Sequence, residues 1–393
     1  TSKTWTFMSR CAGIGIETWD FGQNGFTPVD TSYSYLNTET LAAATTRTQS
    51  NPYEHWNNIL YTGNGTAIAS GGNAITGAGF APDFAWLKAR SVARSHSLYD
   101  IIRGATKPIV TNGTDGQTTD TESLTSFNAD GFTVGSSNNM NISGATFVAW
   151  CAKLGGTPST NEDGSIDSSV SVNQTLGMSV GTYTGNLSAS QTIGHGLGVT
   201  PQMVLFKNTS VAGSWVVYHE ALGNAQMVLL NVADAKQGSA GVWGSTSPTS
   251  SVLAVSNNAS VNGSGNTMMF IAFAPSEYIS IGSYEGNSNA NGTFIPTLNS
   301  LGVPIQPVWW LHKCIDTGLS WYILDSVSQT YNVLGPQVLS PDTTEATPST
   351  SANYREADFV TGGVKIRASG DQINNSNTHI YMTIGTPTLD VDG

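Results

Sequence analysis

The sequence contains few charged residues. Asp, Glu, Lys and Arg make up 11% of its 393 residues, against about 25% in ordinary soluble domains. Within this small set, 27 acidic residues exceed 15 basic ones, which leaves a net charge of −12. Phosphate contacts require clustered Lys and Arg, so this charge balance excludes a nucleic acid as the main partner.

Cysteine and long apolar runs are also scarce. Cys11, Cys151 and Cys314 are far apart in sequence, which excludes a disulfide framework and indicates buried thiols. Residues 1–7 lack the apolar core of a signal peptide, and no run reaches the ~20 apolar residues of a membrane helix. We therefore expect synthesis in a reducing cytosol and no membrane insertion.

The most informative feature present is a threefold repeat. Tyr61–Asn64, Tyr183–Asn186 and Tyr284–Asn287 each read Tyr-x-Gly-Asn. In every copy a Pro and a Lys follow, six positions apart, as the pairs Pro82/Lys88, Pro201/Lys207 and Pro307/Lys313. A period of roughly one hundred residues exceeds the 20–50 residues of a solenoid unit and matches an independent domain.

Local patterns within each copy favour β-strands. Short apolar runs lie between turn residues, first at Phe84–Lys88, Met203–Lys207 and Val308–His312. Further strands are predicted at Ser97–Ile102, Ser214–His219, Ser320–Asp325, Leu124–Phe127, Ser251–Val255, Ala357–Val360, Thr146–Lys153, Thr267–Phe273 and Thr378–Ile384. The best helical candidate, Leu41–Thr46, is little more than one turn. The pattern predicts an all-β protein of three tandem β-sandwich or jelly-roll-like domains behind a short N-terminal segment.

Domain boundaries follow from the repeat. Residues 1–57 form an aromatic-rich leader, which either attaches the protein to a partner or adds strands to the first domain. The first repeat covers 58–155, and a polar linker covers 156–175. The second repeat covers 176–276 and the third 277–393.

Two charged segments suggest ligand sites, each beside a simpler interpretation. Oxygen-bearing side chains alternate at Asn161, Asp163, Ser165 and Asp167, as in the first half of a calcium loop, but the closing bidentate Glu is missing. A solvated acidic turn is the simpler interpretation. Five basic residues cluster in the first repeat and suggest docking of anionic groups, or a solvated hairpin balanced by Asp83 and Asp100: Lys88, Arg90, Arg94, Arg103 and Lys107.

Aromatic and catalytic residue types point away from an enzyme. Four of the ten tryptophans fall in apolar strands and are expected in the core: Trp86, Trp150, Trp309 and Trp310. Trp19, Trp56 and Trp243 have polar neighbours and are freer to stack on sugars. The six histidines are scattered, and no nucleophile elbow, zinc-binding helix or phosphate loop occurs. We predict no catalytic, metal or cofactor site, and any ligand-binding residues are unknown.

The repeat resembles one found in structural proteins of tailed bacteriophages, especially marine phages of cyanobacteria and other ocean bacteria. The resemblance covers residues 58–386 and departs at His96, where an aromatic residue is expected. It is carried by Tyr61–Gly65, Gly79–Lys88, Tyr99–Lys107, Leu124–Thr133, Phe147–Lys153, Gly194–Pro201, Asn262–Gly265 and Ser320–Asp325.

The resemblance implies a non-enzymatic virion structural protein, assembled in the host cytoplasm and displayed as a fibre, spike or decoration. Its partners would be other virion proteins of the capsid, portal or tail, and a host surface glycan. Fibres and decorations gain from multivalent contact, so we expect a homo-oligomer, a trimer. The alternative is a glycan-degrading phage spike, either a hydrolase or a lyase.

Overall fold

β-Strands dominate the structure and confirm the all-β prediction. Of the residues that the structure describes, 41% lie in strands and 4% in helices. The computed structural model describes four ranges of the chain, namely residues 51–328, 338–347, 357–370 and 372–388. Within these ranges, no helix is long and apolar enough to cross a bilayer. The candidate helix Leu41–Thr46 lies outside them.

Helical structure in the described ranges is limited to single turns. It consists of α1 (Ala259–Asn262) and three 3₁₀-helices at Pro52–Glu54, Ile68–Ser70 and Glu220–Leu222. The frequent Gly, Ser and Asn residues favour turns over continued helix, because their side chains, or the lack of one, stabilise non-helical backbone.

The first repeat forms one large and one small antiparallel sheet. Its strands are β1 (Trp56–Thr62), β2 (Asn73–Thr76), β3 (Phe84–Ala89), β4 (Ser97–Asp100), β5 (Ile109–Val110), β6 (Leu124–Asn128), β7 (Gly131–Val134) and β8 (Thr146–Ala152). The large sheet has the order β1-β8-β3-β4-β5, and the small sheet has the order β2-β7-β6. Since β1 begins at Trp56, the last two residues of the predicted leader belong to this sheet.

The second repeat follows the same plan, with three more strands in its large sheet and one fewer in its small sheet. Its strands are β9 (Ser159–Asn161), β10 (Ser168–Asn173), β11 (Met178–Thr184), β12 (Gln191–Gly194), β13 (Met203–Asn208), β14 (Val216–His219), β15 (Gln226–Leu229), β16 (Gln237–Gly238), β17 (Val252–Val255) and β18 (Thr267–Phe273). The large sheet has the order β16-β15-β14-β13-β18-β11-β10-β9, beside a small sheet of β12 and β17.

Two of the added strands, β9 and β10, come from residues 156–175, where the sequence predicted a linker. Alternation of Ser with Val170 and Val172 gives β10 one apolar face, and that face packs into the core of the second repeat. The Ser-rich composition concealed this strand, because a segment with only two Val residues has a weak apolar pattern.

The third repeat again pairs a large sheet with a small one. Its strands are β19 (Ile279–Glu285), β20 (Phe294–Pro296), β21 (Ile305–Cys314), β22 (Tyr322–Asp325), β23 (Ala357–Val360), β24 (Gly363–Ile366) and β25 (Thr378–Pro387). The sheets have the orders β19-β25-β21-β22 and β20-β24-β23. Each strand predicted from the repeat pattern is present in the three repeats, with shifts of a few residues at its ends.

The central strands of each large sheet are buried on both faces. Successive side chains of a strand point to opposite faces, so Leu87 packs with Phe132 of its own small sheet, while Trp86 points the other way. Trp86, Leu205 and Leu311, one from each repeat, belong to a single hydrophobic cluster. The sequence predicted one core for each repeat, and the structure adds a fourth core that joins the three large sheets.

Candidate functional site

The Tyr-x-Gly-Asn motif builds the same loop clasp in every repeat. The motif tyrosine donates its hydroxyl to a backbone carbonyl that precedes a buried asparagine. Tyr61 donates to Met140 O at 2.8 Å and Tyr284 to Ile373 O at 2.8 Å, and Tyr183 donates to Val261 O. The motif therefore ties the end of β1, β11 or β19 to the loop before the last strand of the same repeat.

The buried asparagine that follows each of these carbonyls is the second half of the clasp. In the first repeat, Asn141 Oδ1 accepts the Asn64 backbone N–H at 2.8 Å, and its Nδ2 donates back to Asn64 Oδ1 at 3.0 Å. Asn262 pairs with Asn186, and Asn374 with Asn287, in the same way. The role of these three asparagines was not predicted from sequence, because they lie among other Asn and Ser residues in turn-like segments.

The second shared feature is a buried lysine in each repeat, the Lys of the Pro–Lys pair. Lys88, Lys207 and Lys313 are fully buried. Burial lowers the pKa of each to about 8, and nearby carboxylates oppose this shift. Each Nζ donates to the backbone carbonyl six residues later, which belongs to Arg94, Gly213 or Leu319.

Each lysine also reaches a neighbouring repeat, and the three contacts run in a cycle. Lys88 donates to Thr344 O of the third repeat at 3.1 Å. Lys207 donates to Thr114 O of the first at 2.7 Å, and Lys313 to Ala233 O of the second at 2.9 Å. We call residues 114–117, 233–236 and 344–347 the seam segments.

A backbone hydrogen bond completes each seam. The N–H at the end of a seam segment donates to the carbonyl two residues after the lysine that the segment covers. The pairs are Gln117 N to Thr209 O (2.7 Å), Lys236 N to Ile315 O (2.8 Å) and Thr347 N to Arg90 O (2.8 Å). The three repeats thus close into a ring through equivalent contacts.

The five clustered basic residues of the first repeat mostly serve this framework. Lys88 is a seam lysine, and Arg103 Nε lies 2.5 Å from the buried Asp100 Oδ2. The guanidinium groups of Arg90 and Arg94 donate to the carbonyls of Ser328 and Asn138. The other predicted counter-charge, Asp83, is buried and accepts backbone N–H groups from Leu154 and Gly156. Lys107 binds the Thr119 hydroxyl at an exposed position.

The tryptophans of the described residues are core residues. The four expected in the core, Trp86, Trp150, Trp309 and Trp310, have at most 3% of their surface exposed. The expectation that Trp56 and Trp243 are free for sugar stacking is wrong, since they are only 1% and 2% exposed. Trp56 packs against Trp309 of the third repeat, with their ring centroids 5.5 Å apart. Trp19 lies outside the described residues.

The candidate calcium segment lies at a sheet edge. Asn161 ends β9, and its side chain pairs with Asp163 Oδ2 at 3.0 Å. Ser165 bonds Thr192 of the small sheet. Asn161 and Asp163 are thus hydrogen-bonded to each other, and Ser165 is used to attach the turn to β12. Over the ranges that the structure describes, no group of three or more His, Cys, Asp or Glu is placed to hold a metal ion.

A buried polar cluster in the third repeat is the strongest candidate for chemistry. His312 Nε2 lies 2.7 Å from His379 Nδ1, and His379 Nε2 lies 2.9 Å from Asn375 Oδ1. The Cys314 thiol lies 3.7 Å from the same amide oxygen. An amide oxygen can only accept, so His379 donates from Nε2 and accepts at Nδ1 from His312. His312 Nδ1 then carries a lone pair that has no hydrogen-bond partner in the described part of the chain.

The other two repeats show that the fold does not require this cluster. Aligned on the Pro–Lys spacing, His312 takes the place of Leu87 and Phe206. Aligned on the Thr that opens the last strand, His379 takes the place of Phe147 and Met268. A buried polar pair that replaces apolar residues costs stability unless it is fully hydrogen-bonded. The cluster can hold a proton, but His312, Cys314 and His379 are fully buried and expose no atom to a substrate.

We expect the histidine pair to make the protein acid-sensitive. Burial lowers the pKa of His379 to about 4, an effect that Asn375, Glu285 and Asp316 partly oppose, and holds that of His312 well below its usual range. Between pH 6.5 and 4 these two histidines bind more protons in the unfolded chain than in the folded one, so their contribution to the free energy of unfolding falls as pH drops. For His379 alone the loss is about 3 kcal/mol at pH 4.

The test is urea unfolding of the wild type and of a His312→Phe/His379→Met double variant, which carries the residues of the second repeat. Wild-type stability should fall more steeply between pH 7 and pH 4 than that of the double variant. Equal pH slopes in the two proteins would contradict a role of the pair in acid sensitivity.

Comparison with known proteins gives a family without an assigned activity. No curated protein and no solved structure matches the chain. The family model described as "Domain of unknown function (DUF7483)" matches residues 51–386. The match begins next to the 3₁₀-helix that precedes β1 and ends within β25, so it spans the three repeats and well over half of the chain. The chain therefore belongs to the DUF7483 family.

Proposed function

We propose that this chain is a non-enzymatic structural protein of a tailed-phage virion, displayed as a fibre, spike or decoration that adheres to the host surface or the capsid. The observation that carries the proposal is the ring of three weakly charged repeats. Its signature residues, the motif Tyr, Gly and Asn and the seam Lys, are used to build and join the repeats. In this proposal each repeat, with two sheets enclosing a core, is one of three tandem β-sandwich units.

The competing function is a glycan-degrading spike, and a direct assay separates the two. We expect the purified chain, incubated with lipopolysaccharide or capsule from candidate host bacteria, to release no reducing ends and no unsaturated sugar products. Detection of either product would establish a hydrolase or a lyase. Peptides of the chain in purified virions, found by mass spectrometry, would support the particle role, and their absence from particles would contradict it.

The proposal includes assembly as a homotrimer with other capsid, portal or tail proteins as partners. Adhesion through many weak contacts gains from symmetric multivalency. Light scattering on the purified chain should therefore give a mass three times that of the 41.2 kDa chain. A monomer at micromolar concentration would contradict this part of the proposal.

We also propose that the N-terminal segment anchors the protein to the particle. Pro52–Glu54 and Trp56 belong to the first repeat. The deletion that tests this proposal must therefore end before residue 51. Deletion of residues 1–50 keeps every residue of that repeat in the chain and should abolish incorporation into particles. Full occupancy of the truncated protein would show that the anchor lies elsewhere.

A further inference from the structure

The outer edge of β19 presents unpaired backbone groups. Antiparallel strands direct the N–H and C=O groups of alternate residues to opposite sides. Gly286 N bonds Asn377 O, and Gly385 N bonds Tyr278 O. The N–H and C=O groups of the even-numbered residues of β19 therefore face β25. Those of Ile281 and Ser283 face outward, away from β25. No hydrogen bond from the described part of the chain reaches these groups.

The equivalent edge in the second repeat is occupied. There β10 pairs with β11, with Ser171 opposite Val180 and Ser169 opposite Thr182. Counted from the motif tyrosine, Val180 and Thr182 correspond to Ile281 and Ser283. The same covering segment continues onto the small sheet, where Ile166 N donates to Thr192 O at 3.0 Å.

The third repeat exposes apolar side chains where this cover is missing. Phe294 of β20 corresponds to Thr192, since Ile295 and Ile193 occupy the next, buried position in each repeat. Phe294 is 48% exposed and Leu298, on the same segment, is 48% exposed. Thr293 donates its hydroxyl to Glu285 O at 2.8 Å, which places this segment beside the end of β19.

The first repeat protects part of its equivalent edge with its own side chains, while no hydrogen bond from the described residues reaches the outward backbone groups of Leu60, which is 43% exposed. Asn57 Oδ1 accepts the outward N–H of Asn58 at 2.9 Å, and Asn73 Nδ2 donates to the outward Thr62 O at 3.2 Å. Natural proteins block exposed edges because such edges pair readily with other chains. In the third repeat the open backbone groups of β19 lie beside two exposed apolar side chains, Phe294 and Leu298.

We propose that β19, together with Phe294, is a docking edge for an extended, uncharged strand of a second polypeptide. The incoming strand pairs with the backbone of Ile281 and Ser283. It carries an apolar residue at every second position, and one of these covers Phe294. The chemistry of this strand is that of β10, Ser-Ser-Val-Ser-Val-Asn, which occupies the same edge in the second repeat. Main-chain pairing would supply affinity and the alternate side chains specificity. The inference does not depend on the virion role.

The test measures binding of a fluorescein-labelled peptide with the sequence of residues 168–174 to the full chain by fluorescence polarisation. We expect saturable binding that Ser283→Pro weakens by about tenfold or more. Proline removes the outward N–H of Ser283 and no hydrogen bond to β25, so the variant should fold. Circular dichroism and an unchanged melting temperature would verify that it does.

N-methylated peptides give a control that leaves the protein unchanged. Methylation of the peptide at the positions of Ser169 and Ser171, which face β11 in the second repeat, should abolish binding. Methylation at those of Val170 and Val172 should preserve it. Absence of saturable binding, equal binding to Ser283→Pro, or equal loss with both methylated peptides would overturn the proposal. Self-association that the peptide and Ser283→Pro both suppress would support it and identify the second polypeptide as another copy of the chain.

Discussion

Replacement of Lys88 by Met should lower the free energy of unfolding by about 3 kcal/mol, since two backbone carbonyls lose a buried, charged donor. Those carbonyls belong to Arg94, 2.7 Å from Nζ, and to Thr344 of the third repeat, 3.1 Å away. Methionine fills a similar volume, so the loss reports the hydrogen bonds more than a cavity. The substitution also removes the cost of burying a charged group. The loss of about 3 kcal/mol already includes this offset.

The matched control is Lys153→Met, because Lys153 is exposed. It should change stability by less than about 0.5 kcal/mol. Urea unfolding followed by tryptophan fluorescence measures both variants, since the central core carries tryptophans from the joined repeats. Equal midpoints for the two variants would show that the seam contributes nothing to stability.

Replacement of Gly63 by Ala should have the larger effect and prevent stable folding. A Cβ atom at Gly63 would lie 2.1 Å from the backbone oxygen of Ile142. This contact joins backbone to backbone, so no side chain can move aside. The loops must separate, which breaks the hydrogen bonds of Gly63 N to Ala145 O and of Gly144 N to Gly63 O, both 2.8–2.9 Å. We expect a loss of about 4 kcal/mol or more.

Gly238→Ala is the control for this experiment. Gly238 also lies in a strand region, has no positive φ, and an added Cβ there meets nothing within 4 Å. It should fold with a melting temperature close to that of the wild type. Calorimetry of soluble Gly63→Ala protein with a melting temperature within a few degrees of the control would refute the clasp as the reason for the motif glycine.

The strands could be predicted from sequence because the repeat supplied three independent views of each pattern. Phe84, Met203 and Val308 each begin an apolar run of similar length, and each run lies in a strand that the structure shows. Strands β9 and β10 could not be found this way, because among the described residues they occur in the second repeat alone. A signal present once in a Ser-rich segment is too weak to separate from a linker.

The candidate site was harder to predict than the strands. His312 and His379 are 67 positions apart in sequence, and neither lies in a motif of known spacing. Only the antiparallel pairing of β21 with β25 brings them together. Trp56 and Trp243 were wrongly predicted to be exposed, because their sequence neighbours are polar. Burial of such a residue depends on segments that are distant in sequence.

By itself, the sequence determined the repeat, the strands and the all-β class, because these depend on local alternation of apolar and polar residues and on turn chemistry. Only the tertiary structure decided that the three large sheets share one core and that each buried lysine contacts a different repeat. Those contacts join residues such as Lys207 and Thr114, 93 positions apart. A sequence pattern shows the period of a strand. It does not show which distant carbonyl accepts the hydrogen bond of the buried lysine. That choice is made when the apolar outer faces of the sheets are buried against one another.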